Sequence, residues 1–92
     1  MSRVKVKYLN VYSGMTRKEE EFIDFNDRMT LGQLLNNVSR VYGPKLQDVI
    51  FDEEYRLKPH AWILVNKERE KDLKRELKDG EVVVFSLPIV GG

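Results

Sequence analysis

The stretch that most constrains the fold is residues 81–92. Residues 81–87 are rich in β-branched and aromatic side chains, which is typical of a buried strand. Pro88 has no N–H group and cannot donate to a continuing ladder, so the strand should end there. Gly91 and Gly92 lack a Cβ and can enter a narrow channel in backbone conformations closed to other residues. The sequence therefore predicts a strand followed by an extended tail that leaves the sheet.

The functional group of such a tail is the α-carboxylate of Gly92. Its pKa of about 3.5 keeps it ionised, and a carboxylate is a poor acyl electrophile at neutral pH. It becomes reactive only after another enzyme converts it to an activated acyl group, with ATP as the energy source. The protein would then be a carried substrate. The alternative is a frayed tail that ends in two glycines by chance, because chain ends are often disordered.

Length and composition predict one small domain. The 92 residues are 41% hydrophobic and 34% charged, which indicates a globular protein with no second domain. No apolar run approaches the roughly 18 residues of a membrane helix. The first residues lack the apolar core of a signal peptide, so we expect a cytoplasmic protein without a membrane partner. The net charge of +1 gives little of the field of a nucleic-acid binder, so no direct nucleic-acid partner is expected.

Side chains suited to catalysis are sparse. The chain has no cysteine, so any sulfur that it carries must be attached elsewhere than on a thiol side chain. His60 is the only histidine, which argues against a metal cluster or a serine-based triad. The acidic residues 52–54 follow one another in a predicted turn and should stay solvated. We therefore expect no metal, no tightly bound cofactor and no independent enzyme activity.

The N-terminal part predicts a hairpin. Residues 4–8 alternate between apolar and lysine side chains, the pattern of a strand with one buried face. Leu9 and Val11 continue the apolar set in the opposite phase, which indicates a bulge or a strand covered on both faces. Residues 13–16 predict a turn, and residues 20–25 predict the returning strand.

A helix follows the predicted hairpin. Thr30 and Gln33 have the spacing of a capping box, and Gly43 with Pro44 marks the end of the helix. Its core face is predicted from apolar side chains at helical spacing: Leu31, Leu34, Leu35, Val38, and Val41 or Tyr42.

The second half is less regular. Residues 45–60 predict either a short hairpin that turns at the acidic residues or a loop with one helical turn near Leu46. Residues 61–66 are β-rich on both faces, which is typical of a central strand.

Residues 67–78 contain ten charged side chains and two leucines, Leu73 and Leu77, four positions apart. This spacing predicts a short surface helix with one apolar ridge and a weak Glu70–Lys74 pair. An acidic partner or RNA could use its mildly positive face, but the charge pattern favours a solvated helix.

Together these elements predict an α+β fold in which a mixed sheet of four to five strands packs on one main helix. The first and last strands should pair centrally, and a parallel pairing would place the tail beyond one edge of the fold. We expect a domain over residues 1–87 and a flexible, extended tail over residues 88–92.

The sequence resembles the ubiquitin-like β-grasp sulfur carriers, a family that includes the small subunit of molybdopterin synthase, the thiamine-pathway sulfur carrier and the ubiquitin-related modifier. The matching segments are residues 64–66 at the end of a strand, residues 77–82, Phe85, and residues 88–92. Residues 88–90 look most like those of the molybdopterin small subunit. Ser86 differs, because those subunits tend to have an aromatic residue there.

The resemblance implies that an adenylating enzyme related to ubiquitin-activating enzymes uses ATP to adenylate Gly92, and that a sulfur donor then forms a thiocarboxylate. The tail would enter the active site of the large subunit of molybdopterin synthase. Thiolation of transfer RNA, conjugation to protein lysines, and an inert β-grasp interaction module are the alternatives. The candidate tail and partner-binding residues are Leu9, Phe85, Leu87, Pro88, Ile89, Val90 and Gly91.

Overall fold

The computed structural model describes residues 1–88. Its elements in chain order are β1 (Ser2–Tyr8), α1 (Val11–Thr16), β2 (Glu20–Phe25), α2 (Leu31–Tyr42), α3 (Pro44–Ile50), β3 (Trp62–Val65), β4 (Glu68–Arg69) and β5 (Val82–Ser86). None of the described helices is long and apolar enough to cross a membrane.

The five strands form one mixed sheet in the order β2-β1-β5-β3-β4. Strand β1 pairs antiparallel with β2 and parallel with β5, and β3 pairs antiparallel with both β5 and β4. The β1–β5 register runs from Lys5 opposite Val82 to Tyr8 opposite Phe85. The predicted α+β fold and the central pairing of the first and last strands are confirmed.

Helix α2 packs across one face of this sheet. The Gln33 N–H donates to Thr30 Oγ1 at 3.2 Å, and the Thr30 N–H donates to Gln33 Oε1 at 2.9 Å, so the predicted capping box is present. Gly43 ends the helix with a φ of 103°, which favours glycine. The predicted core residues Leu31, Leu34, Leu35 and Val38 are buried. Of the last two candidates, Tyr42 packs partly buried against the core and Val41 is exposed.

The predicted turn over residues 13–16 is wrong, because residues 11–16 form the short helix α1, and the phase change at Leu9 and Val11 reflects neither a bulge nor a strand covered on both faces. This helix buries Tyr12, whose ring centroid lies 5.7 Å from that of Phe85. The helix thereby adds a large aromatic ring to the core. Leu9 and Val11, whose phase suggested a bulge, are exposed at the two sides of Asn10, which has a φ of 56°.

Residues 45–60 combine the two interpretations that the sequence left open. The helical turn near Leu46 extends over seven residues as α3, and Leu46 and Ile50 are buried. Phe51 and Leu57 then form an isolated antiparallel bridge around the acidic turn. Asp52 Oδ1 accepts hydrogen bonds from the backbone N–H groups of Glu54 and Arg56, so this carboxylate stabilises the turn.

The predicted surface helix over residues 67–78 is wrong. The chain instead forms β4 and then continues without a helix past the start of α2. There the Gly32 N–H donates to the Leu73 carbonyl at 2.9 Å, and the Leu31 N–H donates to the Arg75 carbonyl at 2.8 Å. The first N–H groups of any helix have no partner inside the helix, and this segment supplies partners for two of them.

Close approach of the backbone explains Gly32, because a Cβ at this position would lie 3.1 Å from the Leu73 carbonyl oxygen. Leu77 is buried and Leu73 is partly buried against the core, so the two leucines do pack inward. The expected Glu70–Lys74 pair is replaced by an ion pair between Glu70 and Arg75 at 3.0 Å.

The carboxylate of Glu81 joins β5 to the loops around it. It accepts from Arg75 Nη2 at 2.8 Å, from Asn66 Nδ2 at 3.0 Å and from the Lys78 N–H at 2.7 Å. Asn66 Oδ1 in turn accepts from the Val82 N–H at 3.0 Å. The hydrogen bond from Arg75 is the main reason that the pKa of Glu81 lies below its usual value.

This arrangement predicts a pH-dependent effect of Glu81→Gln. At pH 7 the substitution should lower the free energy of unfolding by about 2 kcal/mol, because the buried charge partner of Arg75 is lost. A carboxyl whose pKa is depressed by folding adds stability above its unfolded pKa, and this contribution disappears as pH falls through the folded pKa. Urea unfolding should therefore show the difference shrinking as pH drops below about 4.

The matched control is Glu76→Gln, because the Glu76 side chain is 55% exposed and its contact with Arg28 is 3.6 Å long. It should change the free energy of unfolding by less than about 0.5 kcal/mol. Equal losses for both variants, or a Glu81→Gln effect independent of pH, would contradict the assigned role.

Candidate functional site

The end of β5 is where the chain leaves the sheet. The Leu9 N–H donates to the Phe85 carbonyl at 2.9 Å, beside the last β1–β5 pair. The Leu87 N–H makes a long, 3.4 Å hydrogen bond to Asn10 Oδ1, and Pro88 has no N–H group to donate. Because β1 and β5 run parallel, the start of α1 and the exit of the tail lie at the same end of the sheet.

The sequence-predicted partner residues do not all lie on the surface. Leu9 is exposed and Leu87 is half-buried, and both lie at the exit. Phe85 is fully buried, with its ring edge-to-face against Tyr8 at 5.2 Å and Tyr12 at 5.7 Å. The prediction that Phe85 contacts a partner is therefore corrected, because its side chain belongs to the core.

Pro88 is half-buried and is the last described residue. The other predicted tail residues lie outside the described part of the chain, and their roles stay predictions: Ile89, Val90, Gly91 and Gly92.

An aromatic surface near the exit comes from a neighbouring strand. Ser86 is buried, and its Oγ donates to the Leu87 carbonyl at 2.9 Å. Its cross-strand partner on β3 is Trp62. The guanidinium of Arg69 lies 4.3 Å from the centroid of the indole ring, within cation–π range.

On the side of the sheet away from the helices, four apolar side chains form a strip, and we call this strip the open face: Trp62, Leu64, Val82 and Val84. Alternate residues of a strand point to opposite faces, and the core-facing residues of β5 are Val83 and Phe85. Leu64 lies opposite Val84 across the β3–β5 ladder, so the two side chains are neighbours. All four side chains of the open face are half-buried. They form an apolar surface of the kind that protein interfaces use.

Cations flank the open face. On the β2 side, Arg3 pairs with Asp24 at 2.7 Å and Lys5 pairs with Glu20 at 3.1 Å. Among the ion pairs of residues 1–88, none includes Lys7 or Arg69, which lie nearer to the exit. The face therefore suits a partner surface with an apolar centre and acidic groups around it.

The candidate acid–base residues take no part in this site. The Asp52 carboxylate stabilises the turn in which it lies. The hydrogen bond from the Arg56 N–H is the main reason that the pKa of Asp52 lies below its usual value. Within the described residues, no three side chains of His, Asp or Glu are grouped so as to hold a metal ion. The described residues at the exit offer an apolar surface, and they bring no nucleophile and base together there.

The sequence analysis places the four residues of the open face in strands but does not identify any of them as a partner-binding residue. The available signal was the alternation of β1, in which the apolar Val4, Val6 and Tyr8 must face the core. A parallel partner shares that face with β1, so Val83 and Phe85 point inward and Val82 and Val84 point outward.

No protein-family model matches the sequence, and no curated protein matches it either. Solved structures do match over the whole chain. SAMP1 from Haloferax volcanii is 20% identical with a TM-score of 0.81, and the match covers 99% of this chain and 100% of that chain. A putative molybdopterin converting factor subunit 1 from Pyrococcus furiosus is 26% identical with a TM-score of 0.78, covering 97% of this chain and 100% of that chain.

The small archaeal modifier protein 1 from Methanosarcina acetivorans is also 26% identical, with a TM-score of 0.76, and the match covers 100% of this chain and 98% of that chain. These neighbours share the ubiquitin-like β-grasp fold, so the fold and the family resemblance predicted from the sequence are confirmed.

The contact of Asn10 with the exit predicts a local effect of Asn10→Gly. Glycine tolerates the positive φ but removes the acceptor of the Leu87 N–H. A hydrogen bond contributes about 1 kcal/mol, so hydrogen exchange of the Leu87 amide should accelerate by up to about tenfold. The Val83 amide in the middle of β5 is the internal control. Unchanged exchange at Leu87, or faster exchange along all of β5, would contradict this role.

Proposed function

We propose that this ubiquitin-like β-grasp protein is a sulfur carrier whose reactive group is the Gly92 carboxylate, and that it serves as the small subunit of a molybdopterin synthase. The observation that carries the proposal is the exit at Leu87 and Pro88. There the last strand ends beside an open apolar face, directly before the glycine-terminated segment. Similarity to a putative molybdopterin converting factor subunit 1 supports the choice of pathway.

The chemistry requires activation by a separate enzyme. A carboxylate oxygen of Gly92 attacks the α-phosphorus of ATP, and pyrophosphate leaves. Hydrosulfide, delivered by a sulfur donor, then attacks the acyl carbon, AMP leaves, and one proton is released. The new C–S bond makes a thiocarboxylate without any net oxidation or reduction. Because the chain has no cysteine, its sulfur cannot travel as a side-chain thiol or persulfide.

Two partners follow from this scheme. One is an adenylating enzyme related to ubiquitin-activating enzymes, which binds ATP and the tail. The other is the large subunit of molybdopterin synthase, which accepts the sulfur from the tail. Both must hold the β-grasp body while the tail enters an active site, and the open face beside the exit is the surface that we assign to this contact. Its apolar strip supplies buried area, and Lys7 and Arg69 favour acidic groups on the partner.

A second candidate is a protein modifier, in which a lysine amine attacks the activated Gly92 carbonyl and forms an isopeptide bond. Similarity to the small archaeal modifier protein 1 favours it. The two functions share the adenylated tail and differ in the nucleophile that follows.

Intact-mass spectrometry after incubation with the host adenylating enzyme, ATP and a sulfur donor tests the proposal. We expect the mass to rise by the difference between sulfur and oxygen. A variant with one residue appended after Gly92 is the control, because its glycine carbonyl is already an amide, and its mass should not change. Lysine adducts in cells without any thiocarboxylate would favour the modifier, and an unchanged mass of the original chain would contradict the carrier.

The role of the open face is tested by Val84→Asp. A charge placed among Trp62, Leu64 and Val82 should slow adenylation by about tenfold or more, because the charge must lose water when the partner binds. The matched control is Val41→Asp on α2, where the side chain is 75% exposed on the other side of the molecule. Thermal melts must show both variants folded. Equal rates for the two variants would contradict the assignment of this face.

A further inference from the structure

A groove of about 430 Å³ lies at the outer edge of β4. One wall comes from the segment before β3 and the other from β4 and the residue pair after it. Four of the six residues that line it are cationic, and the other two are apolar: Arg56, Leu57, Lys58, Pro59, Arg69 and Lys71. Its apolar lining, Leu57 and Pro59, is separate from the apolar residues of the open face, and Arg69 borders both surfaces.

Most of the positive charge in this groove is not compensated. Arg56 pairs with Glu54 at 2.8 Å and with Asp52 at 3.3 Å. The ion pairs within residues 1–88 include none of the other three cations. The Lys58 ammonium donates to the Asp48 carbonyl, a neutral acceptor, and Arg69 stacks on Trp62. Three cations that are in no ion pair within the described residues therefore line the groove, and their charge is available to a ligand.

The groove also has an open strand edge. Strand β4 is the last strand of the sheet. The Glu70 N–H donates to the Ile63 carbonyl at 2.8 Å, so the backbone of Glu70 faces β3. Hydrogen-bonding directions alternate along an antiparallel strand, so the N–H and C=O of Arg69 point away from β3, at the sheet edge where Arg69 lines the groove. An extended chain that lies in the groove can pair with them.

The opposite wall is held in place by its own hydrogen bonds. Leu57 bridges to Phe51, and the Lys58 N–H donates to the Ile50 carbonyl at 2.9 Å. The Ala61 N–H donates to the Lys58 carbonyl, also at 2.9 Å, which fixes the turn through Pro59. A ligand would therefore meet a preformed groove, which reduces the entropy cost of binding.

We infer that this groove binds an extended acidic segment of a partner protein, which adds to the edge of β4 as a further strand. Backbone pairing with Arg69 would align the segment, and its aliphatic side chains would lie on Leu57 and Pro59. Its carboxylates would meet Lys58, Arg69 and Lys71. The inference does not rest on the chemistry proposed for Gly92.

A polypeptide fits these features better than a nucleic acid does. Nucleic-acid binding depends on many phosphate contacts over an extended basic surface, whereas the whole chain has a net charge of only +1. The apolar lining residues and the outward backbone groups of a strand edge are features that an extended peptide can use and a phosphate backbone cannot.

The position of the groove connects it with the exit of the tail. Arg69 lies over the ring of Trp62, and Trp62 is the cross-strand partner of Ser86. A protein segment bound along β4 would therefore be separated from β5 by β3 and β4, and would reach the end of the sheet at which the chain leaves it. Such a contact would help a partner to hold the body while the tail is engaged.

The test uses the full chain labelled with ¹⁵N and a blocked ten-residue peptide in which glutamate alternates with valine. Titration should give saturable amide shifts at Arg56, Leu57, Lys58, Arg69 and Lys71. A peptide with lysine in place of glutamate, and one N-methylated at alternate residues, should both lose these shifts. The first removes the charge match, and the second removes the strand hydrogen bonds. Oligouridine of ten nucleotides tests the nucleic-acid alternative.

The double variant Arg69→Glu, Lys71→Glu should weaken peptide binding by about tenfold or more. The charge-matched control is Arg28→Glu, Arg40→Glu, on a different surface, and it should change binding by less than about twofold. If the double variant is unfolded by its spectrum, Lys71→Glu alone, at an exposed position, must weaken binding in the same direction. Shifts at other residues, absence of binding, equal loss in the control, or tighter binding of oligouridine would overturn the inference.

Discussion

The parallel pairing of β1 with β5 is the constraint on which the rest of the structure depends. It joins residues near the two ends of the chain, from Lys5 opposite Val82 to Tyr8 opposite Phe85. This register points Val4, Val6, Val83 and Phe85 into one core under α2. The same register turns Val82 and Val84 outward and ends both strands at one end of the sheet. Core, open face and tail exit are therefore consequences of one set of backbone hydrogen bonds.

A second constraint explains why the long charged segment has a defined path. Residues 67–78 have little apolar surface of their own, so they could not be placed by burial alone. Two contacts hold them in place. The backbone carbonyls of Leu73 and Arg75 accept hydrogen bonds from the first N–H groups of α2, and the Arg75 side chain binds Glu81. Asn66 and Glu81, which lie in the segments that resemble the sulfur carriers, are thereby explained as parts of a hydrogen-bonded junction between β3 and β5.

Elements that depend only on neighbouring residues can be predicted from the sequence. The alternation in residues 4–8, the β-rich runs before Asn66 and Pro88, and the capping box at Thr30 each specify their own backbone. Elements that depend on distant partners could not be predicted in this way. The spacing of Leu73 and Leu77 matches a helix, but the competing carbonyl contacts with α2 are invisible without the fold. The resemblance assigns Phe85 to the partner surface, but the register with β1 turns its side chain into the core.

We propose that the β-grasp body presents the Gly92 carbonyl to other proteins, and that this carbonyl carries sulfur. The most direct measurement is mass spectrometry of the peptide that ends in Gly92, taken from protein purified from its own cells after alkylation of sulfur nucleophiles. The account predicts an alkylated thiocarboxylate on Gly92. Only unmodified carboxylate at that position, across growth conditions that demand sulfur transfer, would contradict it.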